Sequence, residues 1–137
     1  MVQADIARAI VVHDGDLLIL QNSDDDPQPY ARGKWETPGG YVEDHDDHEE
    51  AAVTREVREE TGLDVDVVDQ LERIAVTVAG DTADCRYYLA QAATRDVTLS
   101  DEHQAYRWIA PGTVRDVDWY YYSLYVIPVV ERWRSGL

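Results

Sequence analysis

Near the start of the chain two apolar runs, ARAIVVH and DLLILQN, stand on either side of DGD. Asp-Gly between β-rich segments supplies the backbone of a tight turn, so the pair predicts a hairpin. The next stretch, SDDDPQPYARGK, is polar and rich in turn formers and predicts a loop. From about Asp47 to Thr61 the period changes to that of a helix. Ala51, Ala52, Val53 and Val57 form its apolar side and Gly62 its stop. LDVDVVDQLERIAVTVAG and ADCRYYLAQAATRDV then alternate apolar and polar residues around GDTAD and predict two long strands or ribbons, with a short strand at RWIA. In the last segment Trp119, Tyr122, Val126, Val130 and Trp133 fall at helical spacing, with Asp118 as a cap and Pro128 as a kink. Such an aromatic stripe is expected to pack in the core rather than stack on a base or join two copies.

Of the 137 residues 45% are apolar, enough for one core, and neither repeats nor linkers interrupt them. Residues 1–137 are therefore expected to form a single domain. Charge changes the picture more. Twenty-eight acids face 12 bases, for a formal net charge of -16, which argues against a phosphate-facing surface for nucleic acid. Eighteen of the acids are aspartate, and Lys34 is the only lysine. Strong salt would screen such a surface, so the cytoplasm of a high-salt organism is the expected setting. The single cysteine, Cys85, excludes an internal disulfide and fits a reducing compartment. No basic start precedes a long apolar run and no stretch reaches the length of a membrane span, so no membrane association is expected.

The candidate chemistry lies in REVREETG. Glu56, Glu59 and Glu60 are related by helical spacings of three and four, so their carboxylates share one face near the negative end of the helix dipole. A lysine neighbour, salt or a metal ion must relieve that repulsion. Just upstream, WETPGG offers a proline and two glycines whose tight path brings backbone carbonyls close to the helix. Several carboxylates and a carbonyl form a donor set for a hard divalent cation. Asp24, Asp25 and Asp26, and likewise His45 and His48, lack regular ligand spacing and read as solvated turn residues.

The stretch GGYVEDHDDHEEAAVTREVREETGL resembles the signature of the Nudix (MutT-like) hydrolases: Gly, five residues, Glu, seven residues, then Arg-Glu-apolar-x-Glu-Glu-x-Gly-apolar. Arg55, Glu56, Val57, Glu59, Glu60, Gly62 and Leu63 match its second half, and WETPGG resembles its usual entry. The first half departs. Counting back from Arg55 reaches Asp47 instead of a glutamate, with one residue too many between it and Gly40; Asp46 is an equally good alignment.

The resemblance implies an α/β fold, an α/β/α sandwich around a central mixed sheet, and hydrolysis of a nucleoside diphosphate linked to another moiety X. It implies Mg2+, with Mn2+ as an alternative, held by Glu56, Glu59, Glu60, Glu102 and the Gly40 carbonyl. Arg55 would orient the carboxylates. Glu102, six residues before Trp108, would close over the metal. Either Glu102 or a helix glutamate such as Glu59 would take the proton from water. Phosphate contacts are sought among Arg8, Arg32, Lys34 and Arg86, and base or sugar contacts among Tyr30, Tyr41 and Trp108. A nucleoside triphosphate is the favoured substrate, ahead of ADP-ribose and dinucleoside polyphosphates. A catalytically silent nucleotide-binding domain would be expected to have lost the glutamates kept here. A homodimer is left open.

Overall fold

A computed structural model describes residues 5–78 and 80–136. Residues 1–4, 79 and 137 lie outside that description. Seven strands join in one mixed sheet: β1 (Ile6–His13), β2 (Asp16–Asn22), β3 (Trp35–Glu36), β4 (Gly39–Tyr41), β5 (Val65–Val78), β6 (Asp81–Ala92) and β7 (His103–Ile109). The main order is β3-β2-β1-β6-β5, with β4 paired to β1 and β7 to β2. β1 runs parallel to β6 and antiparallel to β2 and β4. Helix α1 (Glu49–Thr61) covers one face and α2 (Val126–Ser135) the other.

Strand alternation builds the two cores. On β1, Ile6 and Ile10 face α2 with Leu17, Ile19, Tyr87, Val126, Val129 and Val130. Ala7, Ala9 and Val11 face α1 with Leu18, Leu20, Val53 and Val57. Burying side chains such as Val53 and Val57, both 0% exposed, contributes about 1.5–3 kcal/mol each. Cys85 is buried beside Tyr87, and burial pushes its thiol up to about 11. Among the described residues no helix is long and apolar enough to cross a membrane.

Three expectations change. The last strand is longer than RWIA: it runs from His103 to Ile109 paired with β2, and its exposed Gln104, Tyr106 and Arg107 interrupt the apolar pattern. The final helix starts at Val126, not Asp118. Pro128 therefore falls in the first helical turn, where its missing N–H has no partner to lose, so it does not kink the helix. The upstream aromatics precede the helix, Tyr122 in a short 3-10 helix. Trp119 is core, bridging to Trp35 and donating from its indole nitrogen to the Val114 carbonyl at 2.7 Å. Helix α1 starts at Glu49, after His48, whose Nδ1 accepts from the Ala51 N–H at 3.1 Å. It ends at Gly62, whose φ of 72° lets its N–H reach the Arg58 carbonyl.

Candidate active site

Arg55 is the hub of the acidic helix. Its Nη1 donates to Glu56 Oε1 and Glu59 Oε1, both at 2.9 Å, while Nε and Nη2 fork onto Asp46 at 2.9 and 3.0 Å. Nη2 also reaches the Tyr41 carbonyl at 3.3 Å. The Asp46 side chain is 3% exposed, and the hydrogen bonds from Arg55 hold its carboxyl down at about 2. Of the two acids that the signature could align, it is Asp46 and not Asp47 that Arg55 contacts. Asp47 is exposed, at the rim of a separate hollow beside His48 and Arg86. The extra residue is absorbed between Asp46 and the helix, in the turn where His48 serves as cap.

Glu60 and Glu56 lie deeper than Glu59. Glu60 is 4% exposed and its Oε1 accepts from the Gly39 N–H at 2.8 Å. Burial pushes its carboxyl well above the usual range; Arg8 and that N–H offset part of the push, and Glu36 and Glu56 add repulsion. Burial raises Glu56 too, with relief from Arg55 and further repulsion from Glu59 and Glu102. Glu102 is exposed just before β7, near enough for its charge to act on Glu56. The glycine loop is pressed against this cluster. A Cβ at Gly40 would come within 2.8–3.0 Å of the Glu56 carboxylate, and one at Gly39 within 2.5 Å of the Ala7 carbonyl oxygen. Two desolvated carboxylates, a more exposed third and a backbone cradle with no room for a side chain form an all-oxygen set short of positive charge. That set fits a hard divalent cation.

The sequence profile of the NUDIX domain family matches residues 4–125. The chain belongs to the Nudix family of hydrolases. A Mycobacterium tuberculosis protein provisionally named 8-oxo-dGTP diphosphatase 2 is 34% identical over 110 residues, covering 80% of this chain and 72% of its own. The solution structure of the Escherichia coli ORF135 protein, 26% identical, superposes with a TM-score of 0.73 over 98% of this chain and 91% of its own. A Nudix hydrolase from Nitrosomonas europaea, 20% identical, reaches a TM-score of 0.80 over 98% of this chain and 90% of its own, a likeness of fold.

Beside the Nudix helix stand two buried residues that no spacing rule singled out. Glu36, the second residue of WETPGG, accepts at Oε2 from His103 Nε2 at 2.8 Å and lies 3.9 Å from Arg8 Nη2 at Oε1. One ligand atom from each of Glu36, Glu60 and His103 falls within 4.8 Å of the others. Burial opposes the charge on Glu36, but Arg8 and His103 outweigh it and hold the carboxyl below its usual value. Arg8 likewise stays charged, since Glu36 and Glu60 overcome the burial that works against it. The signal available in the sequence was adjacency: Glu36 precedes the glycine loop by two residues, and His103 follows Glu102.

Two cavities open beside this Nudix cluster. One of about 610 Å3 is lined by Asn22, Asp26, Gln28, Glu36, Glu102 and Tyr120. A smaller one of about 220 Å3 is lined by Arg8, Gly40, Tyr41, Tyr87, Tyr120 and Tyr122. Of the expected phosphate and base contacts, Arg8 and Tyr41 reach these walls, and Tyr30 stacks on Tyr120 with ring centroids 6.2 Å apart. The others do not. Strand alternation turns Arg86 to the α1 face, where it donates to Gln70 at 2.6 Å. Lys34 pairs with Asp118 at 3.0 Å and Arg32 with the Asp26 carbonyl at 2.8 Å. Trp108 packs against the α1-side core under Arg95.

Proposed function

We propose that this protein is a Mg2+-dependent nucleotide pyrophosphohydrolase that splits a nucleoside triphosphate into a nucleoside monophosphate and pyrophosphate, within a single domain. The observation that carries the reading is the cluster of Glu56 and Glu59 on Arg55 and buried Glu60 on the Gly39 N–H, all against the Gly39-Gly40 loop. Bound there, Mg2+ or Mn2+ would neutralise phosphate oxygens and acidify the attacking water. Glu56, Glu59 and Glu60 would hold the ion, with Glu102 and the Gly40 carbonyl as further oxygens.

The protein's own groups then divide the work. Arg55 and the Gly39 N–H fix the carboxylates before substrate arrives, so no reorganisation is needed during reaction. Glu102, exposed at the mouth of the larger cavity, takes the proton from water as its oxygen bonds to one phosphorus. The bridging oxygen leaves with the other. Tyr41, Tyr120 and Tyr122 offer faces on which a base can stack, and Arg8 lies on the same wall. The name of the mycobacterial relative supports a purine nucleoside triphosphate as the first substrate to try.

The test is product release from nucleoside triphosphates, 8-oxo-dGTP, ADP-ribose and dinucleoside polyphosphates with and without Mg2+. Metal-dependent pyrophosphate release, abolished in Glu56→Gln and Glu60→Gln, is the expected result. Preference for ADP-ribose or a dinucleoside polyphosphate overturns the triphosphate assignment.

A further inference from the structure

His103 and Glu36 lie 67 residues apart and meet at 2.8 Å in a nearly closed setting, the histidine side chain 1% and the glutamate 12% exposed. Each is adjacent to a part of the acidic site. His103 directly follows Glu102, and Glu36 directly precedes the Thr-Pro-Gly-Gly turn that packs against Glu56 and Glu60. Both Glu36 and Glu102 line the larger cavity.

The strand geometry is arranged to make this contact. β7 pairs with β2 in register from Ile109 to Ala105, and then a bulge skips Gln104 so that Asn22 faces His103. A bulge of this kind re-aims one side chain. Gln104 is turned outward, where it exchanges hydrogen bonds with Asp24, accepting at 2.8 Å and donating at 3.2 Å. His103 is turned inward onto Glu36. Without the bulge, Gln104 would stand opposite Asn22.

Glu102 itself is held loosely. Its N–H reaches Ser100 Oγ at 3.4 Å and its carbonyl accepts from the Ser23 N–H at 3.2 Å. The strong bond next to it is that of its neighbour. Glu36 is anchored from the other side by Arg8, whose Nη1 donates to the Thr37 carbonyl at 2.9 Å. Three strands, β1, β3 and β7, are thus tied at one carboxylate.

We propose that His103, through Glu36, is a positioning residue that sets the place of Glu102 over the acidic cluster. The inference rests on the hydrolase reading and on Glu102 facing the reacting water. His103 touches no substrate. It fixes the first residue of β7, and so the distance between the Glu102 loop and the glycine turn.

The geometry distinguishes the two ring nitrogens, since the contact is made at Nε2. A glutamine amide nitrogen reaches the place of Nε2, and an asparagine nitrogen the place of Nδ1. The experiment compares His103→Gln, His103→Asn, Glu102→Gln and the Glu102→Gln/His103→Asn double variant by kcat, KM and thermal unfolding, on the best triphosphate. His103→Asn is expected to lower kcat by roughly 10- to 100-fold, the scale of a misplacement of about 1 Å, with KM little changed. His103→Gln should restore kcat to within about 3-fold, and the double variant should be no worse than Glu102→Gln alone, as for two residues acting through one interaction.

Equal losses in Gln and Asn that follow the melting temperature, or losses in the double variant that multiply, overturn the inference and leave the hydrolase reading standing. Unimpaired Glu102→Gln overturns the role of Glu102 and the inference with it. A wild-type chain inactive on every nucleotide overturns the hydrolase reading itself.

Discussion

Replacing Gly40 by alanine separates the site from the fold. Gly40 lies outside the positive-φ set, so an alanine there meets no backbone penalty. Its Cβ would meet Glu56 Cδ at 2.8 Å and both carboxylate oxygens by 3.0 Å, whereas ordinary contact begins at 3.4 Å. The carboxylate must retreat by about 0.6 Å, and Arg55, bonded to Glu56, Glu59 and Asp46, resists it. Since a misplacement of about 1 Å costs on the order of 100-fold in rate, a loss of roughly 10-fold or more in kcat is expected. The stability cost should stay under about 1.5 kcal/mol, because what yields is the end of a side chain. Gly39→Ala is the control. Its Cβ would sit 2.5 Å from the Ala7 carbonyl oxygen and 2.7 Å from Arg8 Cα, at a φ of 149°, so it should unfold the protein at much lower denaturant. Urea melts together with Mg2+-dependent turnover decide the matter. Wild-type turnover in Gly40→Ala, or destabilisation as large as that of Gly39→Ala, would falsify the account of the cradle.

Asp46→Asn should destabilise by about 1–3 kcal/mol, the scale for breaking a buried charge-assisted contact, while Asp47→Asn, at an exposed position, should stay within about 0.5 kcal/mol. Because the Asp46 pKa is depressed to about 2, its contribution is present above the ordinary carboxylate value near ~3.9 and is lost as pH falls toward ~2. Acid titration of stability should accordingly be shallower across that window in Asp46→Asn. Burial raises the Glu60 carboxyl, so its charge opposes folding at neutral pH. Glu60→Gln should melt at or above the wild-type temperature without metal, and added Mg2+ should raise the melting temperature of wild type more than that of the variant. An equal Mg2+ shift in both would remove Glu60 from the ion site. With a net charge of -16, raising NaCl from about 0.1 to 1 M should raise the melting temperature, since the Debye length shrinks from about 10 to 3 Å; a fall would show that attractive ion pairs dominate the surface.

Local chemistry fixed much of this protein in advance. Period-two and helical patterns marked the first hairpin, the long ribbon and α1, because a side chain's face follows from its place in a regular backbone. The signature marked Arg55, Glu56, Glu59 and Glu60 because they lie on one helix, where spacing is geometry. Spacing was less informative where the chain is irregular. An extra residue can be absorbed on either side of an acid, so counting could not choose between Asp46 and Asp47; in the fold Arg55 forks onto Asp46. Nor could helical spacing reveal that Trp119, bridged to Trp35, and Tyr122, in a short 3-10 helix, lie ahead of a helix beginning at Val126. Arg86 and Arg8 looked alike as strand cations, yet pairing Ala7 with Arg86 and Arg8 with Tyr87 sends them to opposite faces. Glu36 and His103 become partners only when β3 and β7 both pair with β2 and a bulge turns the histidine inward. Contacts between residues far apart in the chain depend on register, and register is settled by the packing of the whole sheet rather than by any one segment.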